Sequence, residues 1–418
     1  ASDKEVRTIR LPARENGEGE RHVYQVRISA DGRRIVGYFG ARGGYAVVGQ
    51  PPPKLTDKLA TWDAETGGLL EMHPIEMRGG SGALSPDGHV LLAGNTLIDV
   101  RSGKKIAELL GMSDRGAFSG DGALIVGQAQ RVTREKGIDT VWPDGLRVWE
   151  AATGKVVARL KTKSWIAQTA FHPDNRFVVT NDLDGIHIRD AHGGEVVAHF
   201  TMPEAVRAGT TRGSYAGCLA FTHDGRRMAT GHPDSTILIW DVRVPAISVD
   251  PLSAKELEAR WADLASEDAA KAWEAVARLA EAPNEALPFL RDRVKAYPTA
   301  AADETRRLLA ELDDEVFARR EAAAKRLKEL GLRAEPALRA ALQAKPSLET
   351  KRRIEAILAA LREAPQPPSV EELRQLRAII VLERIGSAEA RRVLEGVAKG
   401  PESARLTRQA RAALACLP

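Results

Sequence analysis

One cadence returns five times within the first 245 residues, and it limits what this chain can fold into more than any other feature. Each round opens on a turn rich in Asp and Gly: Ser29-Ala30-Asp31-Gly32, Ser85-Pro86-Asp87-Gly88, Ser119-Gly120-Asp121-Gly122, His172-Pro173-Asp174-Asn175 and Thr222-His223-Asp224-Gly225. Most rounds then close on an aromatic–acidic step with a Gly turn, as in Trp62-Asp63-Ala64-Glu65-Thr66-Gly67 and Trp149-Glu150-Ala151-Ala152-Thr153-Gly154. Counterparts are Asp99-Val100-Arg101-Ser102-Gly103, Arg189-Asp190-Ala191-His192-Gly193 and Trp240-Asp241-Val242. The rounds start at 29, 85, 119, 172 and 222, between 34 and 56 residues apart. Self-similarity at such a period marks one supersecondary unit built repeatedly.

Each unit reads as four short strands. Apolar, β-branched runs follow the Asp turns (Arg34–Phe39, Val90–Ala93, Leu124–Gly127, Phe177–Thr180), and alternating runs precede the aromatic–acidic step (Leu146–Trp149, Ile186–Arg189, Thr236–Trp240). A further strand follows each Gly turn: Leu69–Met72, Lys105–Leu109, Val156–Leu160 and Val196–Phe200. Four-stranded units in series predict an all-β propeller with about five visible blades over residues 1–246. These residues resemble WD-repeat β-propeller proteins, and Gly231-His232-Pro233-Asp234-Ser235-Thr236-Ile237-Leu238-Ile239-Trp240-Asp241 is the strongest match. Arg189 stands in the Trp position of the fourth blade, and Ile98-Asp99 replaces Trp-Asp in the second. The Asp–His–Ser–Trp hydrogen-bond network that the family implies is therefore not expected in most blades.

The two ends of this region leave the ring open to two readings. The last blade supplies only three strands before Pro245, while Val6–Leu11 resembles a fourth strand that would complete it and close five blades. Alternatively, the five blades are part of a larger ring whose upstream blades are missing. The start at Ala1 reads as a processed or truncated chain in which a domain or anchor precedes the sequence.

Beyond Pro245 the periodicity changes from two to 3.6, predicting an all-α domain over 247–418. Helices are expected in pairs: Ala269–Glu281 with Ala286–Tyr297, Glu315–Leu330 with Glu335–Ala344, and Val370–Ile385 with Ala388–Lys399. A long helix over Ser347–Glu363 and the linker Pro365–Pro368 interrupt them. Gly331 and Gly386 sit where helix ends favour glycine. The pairs resemble HEAT-type repeats, and the combination resembles a class of large bacterial WD-repeat proteins. In relatives of that class, similar propellers can follow a regulatory module such as a kinase or a sigma factor.

Composition excludes several classes. The formal net charge is +4, and the charges divide evenly, with 31 basic and 29 acidic residues in 1–249 against 30 and 28 in 250–418. No one-sided basic field of the nucleic-acid-binding kind is present. The two cysteines, Cys218 and Cys416, suggest no disulfide framework. With no apolar run of membrane-span length, the expected location is cytoplasmic. The nine His show no metal-ligand spacing, and nucleophile-elbow and phosphate-loop motifs are absent. No catalytic residue, metal or cofactor is expected. Asp31, Asp87, Asp121, Asp174 and Asp224 read as turn residues bonding their own backbone; Trp62, Trp149 and Trp240 read as packing between blades.

Function is expected in the long segments between strands, because length that a fold does not need tends to carry binding. Gly40–Lys58, Gln128–Asp144 and Met202–Gly217 are the long ones, and strand alternation puts them at one end of the propeller. They carry Arg42, Tyr45, Arg131, Arg134, Trp142, Arg207, Arg212 and Tyr215, with Lys54 and Lys136. Aromatics among arginines suit a protein partner that is acidic or phosphorylated. The expectation is a non-enzymatic protein–protein interaction scaffold. The rival is an enzyme using the central funnel, similar to quinone-dependent dehydrogenases.

Overall fold

The computed structural model describes residues 8–9, 21–29, 32–41, 57–75, 82–135, 138–162, 166, 168–182, 185–203, 218–232, 234–244, 250–295, 302–344, 346–362, 368–401 and 404–417. The chain divides into two compact units, Ala1–Ser248 with Glu267–Glu274, and Val249–Ser266 with Ala275–Pro418. The sequence pattern placed a single boundary at 246/247; by contact, the start of one helix belongs to the first unit.

Five antiparallel sheets make up the first unit, each a meander of consecutive strands. The first holds β1 (Arg21–Ile28), β2 (Arg34–Ala41), β3 (Asp57–Asp63) and β4 (Leu69–Ile75). The second holds β5 (Gly82–Leu84), β6 (Val90–Ala93), β7 (Thr96–Asp99) and β8 (Lys105–Glu108). The third holds β9 (Met112–Phe118), β10 (Leu124–Glu135), β11 (Ile138–Glu150) and β12 (Val156–Leu160). The fourth holds β13 (Gln168–Phe171), β14 (Phe177–Asp182), β15 (Gly185–Asp190) and β16 (Val196–Phe200). The fifth has three strands among the described residues: β17 (Cys218–Phe221), β18 (Arg227–Gly231) and β19 (Ile237–Asp241). First strands pack in sequence, β1 on β5, β5 on β9, β9 on β13 and β13 on β17. Among the described residues no comparable packing joins β17 to β1, and no closed ring is seen among them. The strand proposed to complete the last blade is not seen at Thr8 and Ile9, which are not extended into a ladder; Ile9 packs on Phe39, Ala60 and Trp62 of the first sheet. Val6, Arg7, Arg10 and Leu11 lie outside the described residues.

In four of the five repeated turns two side chains lock the backbone; Asp31 of the first turn lies outside the described residues. In the second blade Ser85 Oγ accepts the Val90 amide at 2.9 Å and donates to Asp87 Oδ1 at 2.5 Å; Asp87 Oδ1 also accepts the His89 amide. Ser119 with Asp121 and Thr222 with Asp224 repeat the arrangement. The carboxylates of Asp87, Asp121, Asp174 and Asp224 bond their own backbone as expected; the relay through the preceding hydroxyl was not foreseen. In the fourth blade His172 takes the hydroxyl's place. Its Nδ1 lies 2.9 Å from Asp174 Oδ1, and its Nε2 lies 3.1 Å from the Gly225 carbonyl of the next turn. Gly225 has φ +68°, and a Cβ there would sit 2.5 Å from the imidazole, so glycine serves both the turn and the close approach. Burial opposes charging of the His172 ring, but the Asp174 carboxylate and the Gly225 carbonyl outweigh it and raise its pKa above the usual value. The turns of the third and fourth blades are likewise joined, by the Gly120 amide donating to Asn175 Oδ1 at 2.6 Å.

The tryptophans divide by what lies beneath them. Trp149 is fully buried among Leu92, Leu97 and Ile125, bridging second and third sheets, and Trp240 packs against Phe200 of the fourth sheet. Trp62, expected between blades, packs on Phe39, Ala60 and Ile9. Only in the fifth blade does a hydroxyl lie under the ring: Trp240 Nε1 donates to Thr230 Oγ1 at 2.9 Å, and Thr230 Oγ1 bonds His232 Nε2 at 2.8 Å. The matching residue in the third blade is Gly127, and Trp149 Nε1 has no partner.

The second unit is helical. It contains α1 (Ala254–Asp263), the end of α2 (Ala269–Ala280), α3 (Pro283–Arg293), α4 (Ala302–Glu311), α5 (Phe317–Leu330), α6 (Glu335–Gln343), α7 (Leu348–Arg362), α8 (Val370–Ile385), α9 (Ala388–Ala398) and α10 (Arg405–Cys416). α1, α4 and α10 were not anticipated, although Ser253 and Glu256 form a full capping box before α1. Of the expected pairs, α8 and α9 pack together, whereas α5 packs chiefly on α4 and α7. One core joins Leu308, Leu312, Leu327, Leu338, Ile354 and Ile357. α8 is buried on nearly every side, and its Arg377, almost fully buried, donates to the carbonyls of Leu264 at 2.6 Å and Ser266 at 2.9 Å. Those acceptors at the end of α1 offset the cost of burying the guanidinium.

Thr230 and Thr180 occupy matching positions in neighbouring blades, both fully buried. Thr180 Oγ1 makes only a 3.5 Å bond to the His187 carbonyl. Thr230→Val, which strands both Trp240 and His232, should cost about 1–3 kcal/mol in urea unfolding, and Thr180→Val less than about 1 kcal/mol. Equal losses would show that the Trp240–Thr230–His232 chain contributes nothing particular.

Candidate functional site

Five of the eight residues singled out for binding (Arg42, Tyr45, Arg207, Arg212 and Tyr215) lie outside the described residues. The other three (Arg131, Arg134 and Trp142) stand together on one element. Gln128–Asp144, expected to be a loop, is a continuation of β10 and β11, whose ladder runs from Leu124↔Glu150 to Glu135↔Ile138 with one irregularity between Gln128 and Gln130. The physical cause is visible in the residues. Val132-Thr133 faces Thr140-Val141, and β-branched cross-strand pairs stabilise an antiparallel ribbon.

The ribbon outruns its neighbours. β9 pairs with β10 only as far as Ala129↔Met112, and β12 pairs with β11 only over Leu146–Trp149. Beyond those points two strands stand without a third among the described residues. Arg131 is directly opposite Trp142, and both side chains are exposed. Trp142 Nε1 donates to Thr133 Oγ1 at 3.2 Å, which orients the indole across the ribbon. Arg134 is paired with Asp139 in the register. At the ribbon's base Arg147 is held by Asp144 at 2.5 Å and by the Leu110 carbonyl at 2.9 Å. The arrangement offers a cation, an indole and free strand edges; among the described residues it holds no nucleophile–base pair.

A second feature marks the foot of the first long segment, where β3 begins. Asp57 is buried, and burial pushes its carboxyl up to about 6. Tyr38 nearby is raised too, by burial, then by Tyr24 and Asp57. Gly40 makes room for the carboxylate, since a Cβ there would overlap Asp57 Oδ1. Sequence reasoning passed over Asp57 because nothing local distinguishes it from a turn residue.

Among the described residues no group of three or more His, Cys, Asp or Glu side chains is placed to hold a metal ion. No helix among them is long and apolar enough to cross a membrane. Both cysteines, Cys218 and Cys416, are exposed.

Five consecutive antiparallel meanders, packed first strand to first strand, are followed in the chain by a helical region. Residues 208–241, which hold the fifth sheet, match the family described as WD domain, G-beta repeat. A comparison with curated proteins finds no match. Among solved structures, the β-propeller domain of Myceliophteria thermophila Cps50 (Swd1) is similar over 60% of this chain and 71% of its own, at 16% identity and a TM-score of 0.34.

Because the folded chain holds the Asp57 proton more tightly than the unfolded chain, its stability contribution is present at pH 4 and lost as pH rises towards 6 and above. Asp57→Asn should therefore stabilise the protein by about 1–3 kcal/mol at pH 7.5 and change little at pH 4. Thermal melts at the two pH values decide this; an equal effect at both would show that the carboxyl titrates normally.

Proposed function

We propose that this chain is a non-enzymatic protein-interaction scaffold. The observation that carries the reading is the ribbon of β10 and β11, on which Arg131 and Trp142 face each other, exposed, beyond the strands that cover the rest of the sheet. Arg and Trp are the side chains that most often dominate protein interfaces. A ribbon with free edges also offers backbone groups for pairing with an extended segment. The segments 42–56 and 204–217 lie outside the described residues; strand alternation would bring them to the same end, since each follows an even-numbered strand of its meander. An acidic or phosphorylated protein is the partner that their Arg42, Arg207 and Arg212, with Arg131 and Arg134, would recognise. The helical pairs would add a HEAT-like surface, and the cytoplasm is the compartment that suits the reading.

Arg131→Ala with Trp142→Ala should leave the melting temperature nearly unchanged, since exposed side chains contribute little to stability. Recovery of co-purifying protein by the tagged chain should fall by about tenfold, the effect of losing roughly 1.4 kcal/mol at one contact. It should also weaken with added salt. Unchanged recovery would remove the ribbon from the binding surface.

A further inference from the structure

The four joints between sheets follow one rule. Each sheet has a back face turned to the preceding sheet and a front face turned to the following one. At the joint between fourth and fifth sheets, the front face presents Phe177, Val179, Ile186 and Ile188, all essentially inaccessible. The back face of the fifth sheet covers them with Leu219, Phe221, Met228, Leu238 and Trp240. The fifth sheet has its own front face, and its outer strand repeats the same pattern: Ile237-Leu238-Ile239 stands where Ile186-His187-Ile188 stands in the fourth. The ladder sets Ile239 beside Ala229, and Ile237 beside Gly231, which in turn faces Cys218. Here the two isoleucines are 72% and 71% exposed, against 0% for Ile186 and Ile188. An Arg227–Asp241 ion pair, itself exposed, borders this apolar face. Apolar centre and polar margin are the composition of an interface.

The first sheet is left with the complementary surface. Its front face, with Val36 and Tyr38, packs on Leu84, Leu91 and Ile98 of the second sheet. Its back face carries Ile28 beside Ile35, Val26 beside Gly37 and Val23 beside Phe39. Phe39 is covered, but Val23, Val26 and Ile28 are 51%, 53% and 60% exposed. Among the described residues one front face and one back face are thus left uncovered, and they do not pack on each other.

We infer that the front face of the fifth sheet docks on the back face of the first sheet of a second copy of this chain. The contact continues the joint that the molecule makes four times internally, and it buries the only front-face isoleucine pair that the described sheets leave in water. It is a head-to-tail contact, so two copies close on each other if the geometry returns, and a longer series forms if it does not. Burial of apolar side chains drives it, so it strengthens rather than fades in a salting-out buffer. This separates it from the charge-dependent partner binding proposed above.

Light scattering on the purified chain across a concentration series tests it. The mean mass should reach that of two chains or more, and Ile237→Asp with Ile239→Asp should return it to one. Val26→Asp with Ile28→Asp should do the same. All four side chains are more than half exposed, so circular dichroism should show both variants folded. Mixing the two variants leaves one intact front face and one intact back face, so a species of two chains should reappear. A wild-type chain that remains a monomer at every concentration would overturn the inference. So would a mixture that remains monomeric, or assembly that survives either pair of substitutions.

Discussion

Every sheet of the first unit is apolar on both faces, and that one condition organises the rest. A two-faced apolar meander is costly to leave alone in water, so the second, third and fourth are each sandwiched between neighbours. The demand explains why the cores cross sheet boundaries: Val36 and Tyr38 with Leu84, Leu92 and Leu97 with Trp149, Phe177 and Ile188 with Met228. It explains why the turns touch as well, since sheets packed this closely bring Gly120 to Asn175 and Gly225 to His172. The Ser/Thr–Asp relay of the second, third and fifth turns, with His172 and Asp174 in the fourth, fixes the strands on either side in register for that packing.

Much of this was legible in the residues, because a repeat reports its own boundaries. The Asp turns, the alternating third strands and the change of period after Pro245 each carry a local signal, and Val370–Ile385 and Gly386 came out as read, the glycine at φ 63°. The failures have specific causes. Gln128–Asp144 looked like a loop because it is too long for a blade, yet Val132-Thr133 and Thr140-Val141 were a strand pair all along. The helix expected to begin at Ala286 opens instead at Pro283, at the position where its missing N–H costs nothing. Partners of helices proved harder to read than helices, because a stripe of Ala and Leu fits several neighbours.

Of the candidate site, the sequence reached the residue types and one of the places. Arg131 and Trp142 were chosen as members of a cationic, aromatic segment; that they are opposite one another on a ladder follows only from the register. Asp57 gave no signal at all. Its altered proton affinity arises from what surrounds it in space, and a linear pattern carries no record of burial.

The closing turn of the third blade departs from its siblings by one methylene. Where the first, second and fourth blades have Asp63, Asp99 and Asp190 bonding the amides of the turn, the third has Glu150. One of its oxygens still takes the Thr153 hydroxyl at 2.6 Å, and the other reaches the indole of Trp273, 3.0 Å away and fully buried, within the segment Glu267–Glu274 that belongs to this unit. Lys155, just beyond the turn, donates to the Glu267 carbonyl, and His192 of the fourth blade lies against the Trp273 ring. Repeats made alike offer a passing segment as many equivalent berths as there are copies. A single longer carboxylate breaks that degeneracy, so a segment more than a hundred residues downstream has one address among five.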